Sequence, residues 1–477
     1  MRRLSFPWRV FLVALVVRLI PVLLLADLGI GLDDMFHYDM LARSLATGNG
    51  YRWYAQDDLN LVLRYIPLDL STVEYDPRGI PTSFRPPLYP AFLALIYALA
   101  GITPHRFFVA RLVQTVTGAI VPVLTYFLAC RLFPAHERAA RAAAWAITFY
   151  PMLVIFPLAL ATENIFFPLV LLSLLTLLDA ERNRHWGRFA IAGAFFGLTA
   201  LTRSIFLAVA GVCLLWVWFG WRERRGALVM FLALILVAAP WAVRNSLLHG
   251  RPMGIESGLG YSLHTGYHPK GTGTFQYGIS LELMPILDDG ERDRLGMQLA
   301  WQFIRQNPAR VPYLMVRKLG HFFGLERRAL TYFYSNDFFG YIPLPALLLA
   351  AALFLLPFVL VSLSAVFGAA LVDWRGRTFL LPLVFFAYLT PHVLIQAEER
   401  FHLMLVPLFA VVAARLWTQG WRALKERWVT PSGRRALILA LVAAALLTLN
   451  WALELWRDAD KLALLLGPNG NQTHFPY

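Results

Sequence analysis

Charge is scarce in this sequence. Only 15% of its 477 residues are Asp, Glu, Lys or Arg, where an ordinary globular domain has about 25%. That shortage, with 58% hydrophobic residues and a mean hydropathy of +0.57, excludes a soluble enzyme of the usual kind. Acidic residues are the rarer sign, 29 against 43 basic, for a formal net charge of +14. In a soluble protein such an excess points to nucleic acid, but in a membrane protein it first asks which side holds the basic residues. No Gly-rich phosphate loop, no H-E-x-x-H spacing and no G-x-S-x-G elbow occurs, so nucleotide binding, the common zinc hydrolases and serine hydrolases have no anchor. Cysteine is nearly absent too. Cys130 and Cys213 both lie in apolar runs, exclude a four-cysteine metal site and read as small core residues.

What the sequence has is apolar runs along its whole length. A span needs about 20 apolar residues, and its cytoplasmic end attracts Lys and Arg. Spans are expected at 8–27, 107–131, 139–159, 162–180, 187–202, 204–221, 227–243, 343–371, 378–396, 402–418 and 435–456. Arg2, Arg3 and Arg9 precede an apolar stretch to Ala26 that lacks a small-residue cleavage pattern, so it is expected to stay as the first helix. Pro86 to Ala100 would be a twelfth span, but counting it would put the basic connections 131–141, 181–188 and 222–225 outside. Laid along the outer surface instead, it leaves about eleven spans, N-terminus inside and C-terminus outside. Two long segments, 28–106 and 244–342, then face outward, and chemistry is expected there.

Few charges remain on that side, and each has a bland reading beside a chemical one. Asp33-Asp34 follows the first span; paired carboxylates raise each other's pKa and suit one of them to general-base work, or they merely cap the helix from Met35 to Leu45. Ser83-Phe84-Arg85-Pro86-Pro87-Leu88-Tyr89-Pro90 places Arg85 and Tyr89 at a helix start, where Arg85 can bind a phosphate or snorkel to lipid headgroups. Glu163, in Ala161-Thr162-Glu163-Asn164, is either a site residue at the hydrocarbon edge or a wetted loop carboxylate. Arg203 and Arg400 interrupt apolar sequence where the positive-inside tendency disfavours Arg, so each needs an anion, from Glu398 or Glu399 or from a substrate. Arg18 and Arg111 lie within spans and are expected to be paired structurally. His264, His268 and His321 show no metal-binding spacing, so a divalent metal is unsupported.

In this order the chain resembles the GT-C glycosyltransferase superfamily, in particular the bacterial branch similar to protein O-mannosyltransferases and the lipid A aminoarabinose transferase. The resemblance rests on the acidic pair, Leu41-Ala42-Arg43-Ser44-Leu45, Gly48-Asn49-Gly50-Tyr51, Arg85-Pro86-Pro87-Leu88-Tyr89-Pro90 and Thr162-Glu163-Asn164. It continues through Gly197-Leu198-Thr199-Ala200-Leu201-Thr202-Arg203, Pro240-Trp241-Ala242-Val243-Arg244-Asn245 and Glu399-Arg400-Phe401. It implies a single all-α polytopic membrane domain over 1–477 with juxtamembrane helices in the first outer loop. It also implies a polyprenyl-phosphate sugar donor and inverting transfer to a lipid, glycan or protein hydroxyl outside the cell membrane. Asp33 matches the presumed base; Asp34 stands where the family more often has Glu. Arg85 matches a basic or His position that contacts the lipid-linked phosphate in the aminoarabinose transferase branch. Glu163 and Arg203 match charged positions near the active centre, and Tyr89, Arg400 and His37 are counted with the substrate-binding residues. No nucleic-acid partner follows. The rival class is a lipid or sugar transporter or flippase, which should show paired repeats and broken helices; no convincing repeat is present.

Overall fold

In hydrocarbon every backbone N–H and C=O must find a partner within the chain, which forces long apolar runs into helices. The computed structural model describes residues 4–474 and is almost wholly helical; Arg2 and Arg3 lie outside the described residues. Among the described residues, eight helices are long and apolar enough to cross a membrane: Phe6–Leu24, Arg106–Leu132, Glu163–Asn183, Arg224–His249, Leu344–Ala369, Gly376–Leu394, Glu399–Val429 and Pro431–Arg457. Glu137–Thr148 and Pro151–Leu158 make a ninth if the pair, bent by 56°, is one span. The bend falls where Pro151 disfavours helical backbone in the residue before it, and Tyr150 is extended with ψ 113°.

Helices also stand at the other two expected positions, Trp186–Thr202 and Phe206–Gly220. The first has 17 residues and is about 25 Å long, short of the roughly 30 Å hydrocarbon core. Length and composition thus support eight or nine spans rather than about eleven. Leu88–Ala100, with 13 residues and about 20 Å of length, is too short to be a further span. It packs instead on the helix Asp34–Ala46.

Burial separates inner helices from outer ones. The most apolar windows of Glu163–Asn183 and Glu399–Val429 are 72% buried, those of Phe6–Leu24, Leu344–Ala369 and Pro431–Arg457 only 22%. The outer helices expose residues such as Leu24, Leu349 and Leu439, a surface suited to lipid tails. Glu163 and Arg400 therefore sit in the first turns of the two most enclosed helices. Close backbone approach carries some of this packing: a Cβ on Gly193 would lie 2.1 Å from the Met230 carbonyl oxygen, so only glycine lets Trp186–Thr202 meet Arg224–His249 there.

The two ends of the bundle differ in charge. Glu163–Asn183 begins with Glu163, whereas near its other end Asp179 pairs with Arg131 at 3.2 Å and with Arg188 at 2.5 Å. Arg377 lies 3.8 Å from Glu181, and Arg184 pairs with Glu223 at 2.6 Å. The basic connections gather at this end. At the opposite end the two long segments meet around Ser83, whose N–H donates to Asp289 at 2.8 Å and whose hydroxyl contacts His249 at 2.7 Å and Ser257 at 2.8 Å. That knot stands beside Arg85 and fixes where it points.

Cys213 is buried, Cys130 half-buried, and both are free thiols. Arg18 and Arg111 are structural, but carbonyls rather than carboxylates satisfy them. Arg18 donates to Ala14, Ile147 and Thr148, and Arg111 to Leu28, Gly29 and Leu158.

Candidate active site

Asp33 is the N-cap of Asp34–Ala46, and its Oδ1 accepts from the Met35 N–H at 2.8 Å. The capping reading is therefore correct as far as it goes. Among the described residues no hydrogen bond reaches the second oxygen, and Asp33 is exposed. Gly31 lies over that oxygen: a Cβ on it would be 3.3 Å from Asp33 Oδ2 and 3.1 Å from the Tyr332 hydroxyl.

Asp34 is held differently. Arg85 donates to its Oδ1, and Arg400 donates to its Oδ2 at 3.1 Å. Arg85 precedes the helix Leu88–Ala100 rather than starting it, and the Tyr51 hydroxyl donates to the Arg85 carbonyl at 2.9 Å, bracing the turn. The same Arg85 Nη2 lies 3.1 Å from His37 Nδ1, and its guanidinium lies 4.9 Å from the Phe84 ring centroid and 5.5 Å from that of Tyr38. Arg400 Nε is 3.0 Å from Glu398, which also accepts from Arg328 at 2.6 Å.

These contacts make neighbouring groups titrate apart. Although the residue reaches solvent, its carboxyl lies among enclosing neighbours, and that desolvation, then the Asp34 charge, pushes Asp33 above the usual carboxylate range, against the opposing Met35 N–H, Arg328 and Arg400. Burial acts on Asp34 in the same sense, but Arg85 and Arg400 overcome it and hold that carboxyl far below the usual range. Burial and the Arg85 cation push His37 down to about 3, so it is a neutral ring whose Nδ1 accepts from Arg85.

Glu163 and Arg203 form a second pair at 2.7 Å, with Glu163 3% exposed and its other oxygen accepting from Thr162 at 3.0 Å. Arg203 lies 5.1 Å from the Phe401 ring centroid, next to Arg400. Tyr38 is buried between the pairs, within the fields of Arg85, Asp34, Glu163 and Arg203. Asp33, Asp34, His37, Arg85, Glu163, Arg203 and Arg400 are thus gathered at one end of the bundle. Tyr89 is not among them: it is fully buried, and its hydroxyl donates to Gln114 behind the site.

Sequence reasoning missed Arg328, Tyr332, Tyr38 and Glu256. Glu256 comes from the second long segment, accepts from the Ser204 hydroxyl and lies within the fields of Arg85 and Arg203. Burial raises it above the usual carboxylate range, against Ser204 and the two arginines. No local motif surrounds it; nothing but the pairing of distant segments shows it. Among the described residues, no group of three metal-ligating atoms forms at Asp33 and Asp34.

Residues 84–243 match the family described as dolichyl-phosphate-mannose-protein mannosyltransferase. The matched segment covers about a third of the chain. The match includes Arg85, Tyr89, Glu163 and Arg203, and it agrees with the GT-C resemblance carried by the sequence motifs. None of the curated proteins matches the chain. Among solved structures, the Archaeoglobus fulgidus oligosaccharyltransferase tethered with an acceptor peptide aligns over 100% of this chain and 59% of its own. The identity is 15% and the TM-score 0.51, a likeness of fold. The archaeal oligosaccharyltransferase AglB from Archaeoglobus fulgidus, in complex with an inhibitory peptide and a dolichol-phosphate, aligns over 99% of this chain and 60% of its own, at 15% identity and a TM-score of 0.49. ArnT from Cupriavidus metallidurans bound to undecaprenyl phosphate aligns over 88% of this chain and 79% of its own, at 17% identity and a TM-score of 0.38. The chain spans about three-fifths of the length of these archaeal chains.

Proposed function

We propose that the chain transfers a sugar from a polyprenyl-phosphate-linked donor to a hydroxyl of a lipid, glycan or protein acceptor, with inversion, at the outer face of the cell membrane. One observation carries this reading: two adjacent carboxylates are made unlike, Asp34 bound by two arginines and Asp33 left exposed, with no hydrogen bond to its second oxygen among the described residues. The family match supports the donor class. The segregation of basic connections to the far end of the bundle supports an inner N-terminus and an outer site.

In this mechanism Asp33 Oδ2 takes the proton of the acceptor hydroxyl as its oxygen attacks the anomeric carbon. The bond from that carbon to the phosphate oxygen breaks, and the phosphate leaves with the electron pair. Arg85 and Arg400 stabilise the charge that grows there, as preorganised cations do for an oxyanion. Asp34 is then a positioning residue that aims both guanidiniums, and His37 holds Arg85 from the other side. Glu163 keeps Arg203 extended beneath Arg400. A donor that arrives sideways from the bilayer needs no nucleotide-binding domain, consistent with the absence of a phosphate loop.

The test is transfer of a labelled sugar from a polyprenyl-phosphate donor by the full chain in proteoliposomes. Asp33→Asn should abolish turnover while leaving expression and donor binding intact. Full activity in that variant would remove Asp33 as the base. Mass spectrometry of lipids and glycans from cells with and without the protein then identifies sugar and acceptor.

A further inference from the structure

Outside the charged cluster, the second long segment brings together three side chains with the chemistry of a metal site. His264 lies on the helix Leu259–Tyr267, and His268 caps that helix at its C-terminus, so the two imidazoles project from one face. Glu282, beyond the short helix Tyr277–Ser280, turns back to them. Its Oε2 is 3.3 Å from His264 Nε2 and 3.2 Å from His268 Nε2, and the three ligand atoms all lie within 4.8 Å of one another. An ion bound tetrahedrally with bonds of 2.0–2.1 Å sets its ligands about 3.3 Å apart. The two carboxylate–imidazole separations are therefore already those of a bound ion, and the two imidazoles lie within 4.8 Å of each other.

Burial adds an independent reason. His264 is 1% exposed, and neither of its ring nitrogens has an aligned hydrogen-bond partner. Glu282 approaches it closely but out of line. Leaving a buried polar group unsatisfied is costly, and a metal bond at Nε2 would relieve it. His268 is 7% exposed, and its Nδ1 accepts a long 3.3 Å contact from the Lys270 N–H. Binding through Nε2 puts the proton on Nδ1 and gives up that contact. Glu282 is 48% exposed and offers the ion a path from water. The helix carrying His264 is firmly seated: a Cβ on Gly260 would fall 1.9 Å from the Asp293 carbonyl oxygen of the helix Asp289–Gln306.

We propose that His264, His268 and Glu282 bind a zinc ion, with water in the fourth position, that clasps residues 268–282 into a closed loop. Two imidazoles and one carboxylate suit zinc, whereas calcium and magnesium prefer oxygen ligands throughout. The loop so closed is braced against the site: Gly273 accepts from the Ala397 N–H at 3.3 Å, and Arg310 donates to the carbonyls of His268 at 2.8 Å and Gly271 at 2.5 Å. Ala397 leads directly into Glu398 and Arg400. The ion's role is to hold this loop, and through it the segment carrying Arg400.

The experiment uses the full chain purified in detergent without a metal-affinity step, equilibrated with zinc chloride and then desalted. Elemental analysis should find stoichiometric zinc. Cobalt substitution should give the intense visible bands of a tetrahedral site, and chelation should lower the melting temperature until zinc is returned. His264→Ala and Glu282→Gln should both lose the zinc; Glu282 is exposed enough that its variant keeps the fold. Wild-type protein without retained zinc, or both variants holding as much as wild type, overturns the proposal. Zinc content is read without turnover, so its failure would leave the transferase reading untouched.

Discussion

Arg400 donates to Asp34 at 3.1 Å across 366 positions of sequence. That contact ties the helix after the first span to the start of one of the two most enclosed helices. With Arg85 on the other oxygen, Asp34 is committed to the two guanidiniums, and the exposed carboxylate beside it is Asp33.

The two acids should therefore fail differently. Asp33→Asn should cost at least about 10²–10⁴ in turnover, the usual share of general-base catalysis, a loss that abolishes detectable transfer. Asp34→Asn keeps an acceptor for one guanidinium and should cost less in turnover but weaken donor binding. Single-turnover rates and donor affinity for both variants check this. Equal losses of turnover with unchanged donor affinity would end the division of labour.

Activity should fall on acidification as Asp33 takes up a proton. Because burial and Asp34 raise Asp33 above its ordinary 3.8, the acid limb of kcat/KM should lie above that value. Arg400 opposes the rise, so Arg400→Gln should move the limb to still higher pH. A limb that stays in place, or moves down, counts against Asp33 as the titrating base.

His37 gives a stability signal of definite sign. Its folded pKa is near 3 against an ordinary 6.5, so below pH 6.5 the unfolded chain binds the extra proton and stability falls toward pH 3. His37→Asn should flatten melting temperature against pH in that window. Differential scanning fluorimetry in detergent at several pH values reads it directly.

Glu163→Gln should leave Arg203 buried beside a neutral partner. Breaking one side of an enclosed pair costs about 3–5 kcal/mol, and Glu163 is 3% exposed. The double variant Glu163→Gln with Arg203→Gln should recover part of the loss. A denaturation series that shows no recovery would mean that the two side chains are not coupled.

Gly193→Leu should disrupt the crossing of Trp186–Thr202 with Arg224–His249, since even a Cβ would meet the Met230 carbonyl oxygen at 2.1 Å. Overpacking of this kind costs about 1–3 kcal/mol or more. A lower melting temperature and poorer yield are expected. The substitution lies away from Asp33, so the folded fraction should still transfer sugar.

How much of this was legible beforehand differs by residue. Asp33, Asp34, Arg85, Glu163, Arg203 and Arg400 could be found because a charge in apolar sequence is expensive and stands out against few others. Tyr89 misled: adjacency to Arg85 suggested a shared role, but the helix begins at Leu88 and turns Tyr89 inward to Gln114. Glu256, Arg328 and Tyr332 left no local signal, because their neighbours are far away in sequence. Hydropathy could not see the bend at Pro151 or how short two of the apolar helices are, so eight or nine helices pass on length and composition where about eleven spans were expected.

The sequence by itself determined that the chain is a bundle of membrane helices, that its basic excess clusters in short connections and that a few charges remain for chemistry. Apolar runs long enough to cross hydrocarbon have only the helix open to them, so composition suffices for that much. Tertiary structure alone decided which guanidinium meets which carboxylate, and so which of two adjacent aspartates is paired with arginines and which stays exposed. Coulomb interaction and desolvation depend on distance and enclosure in space, and those are set by packing between segments that no local pattern relates.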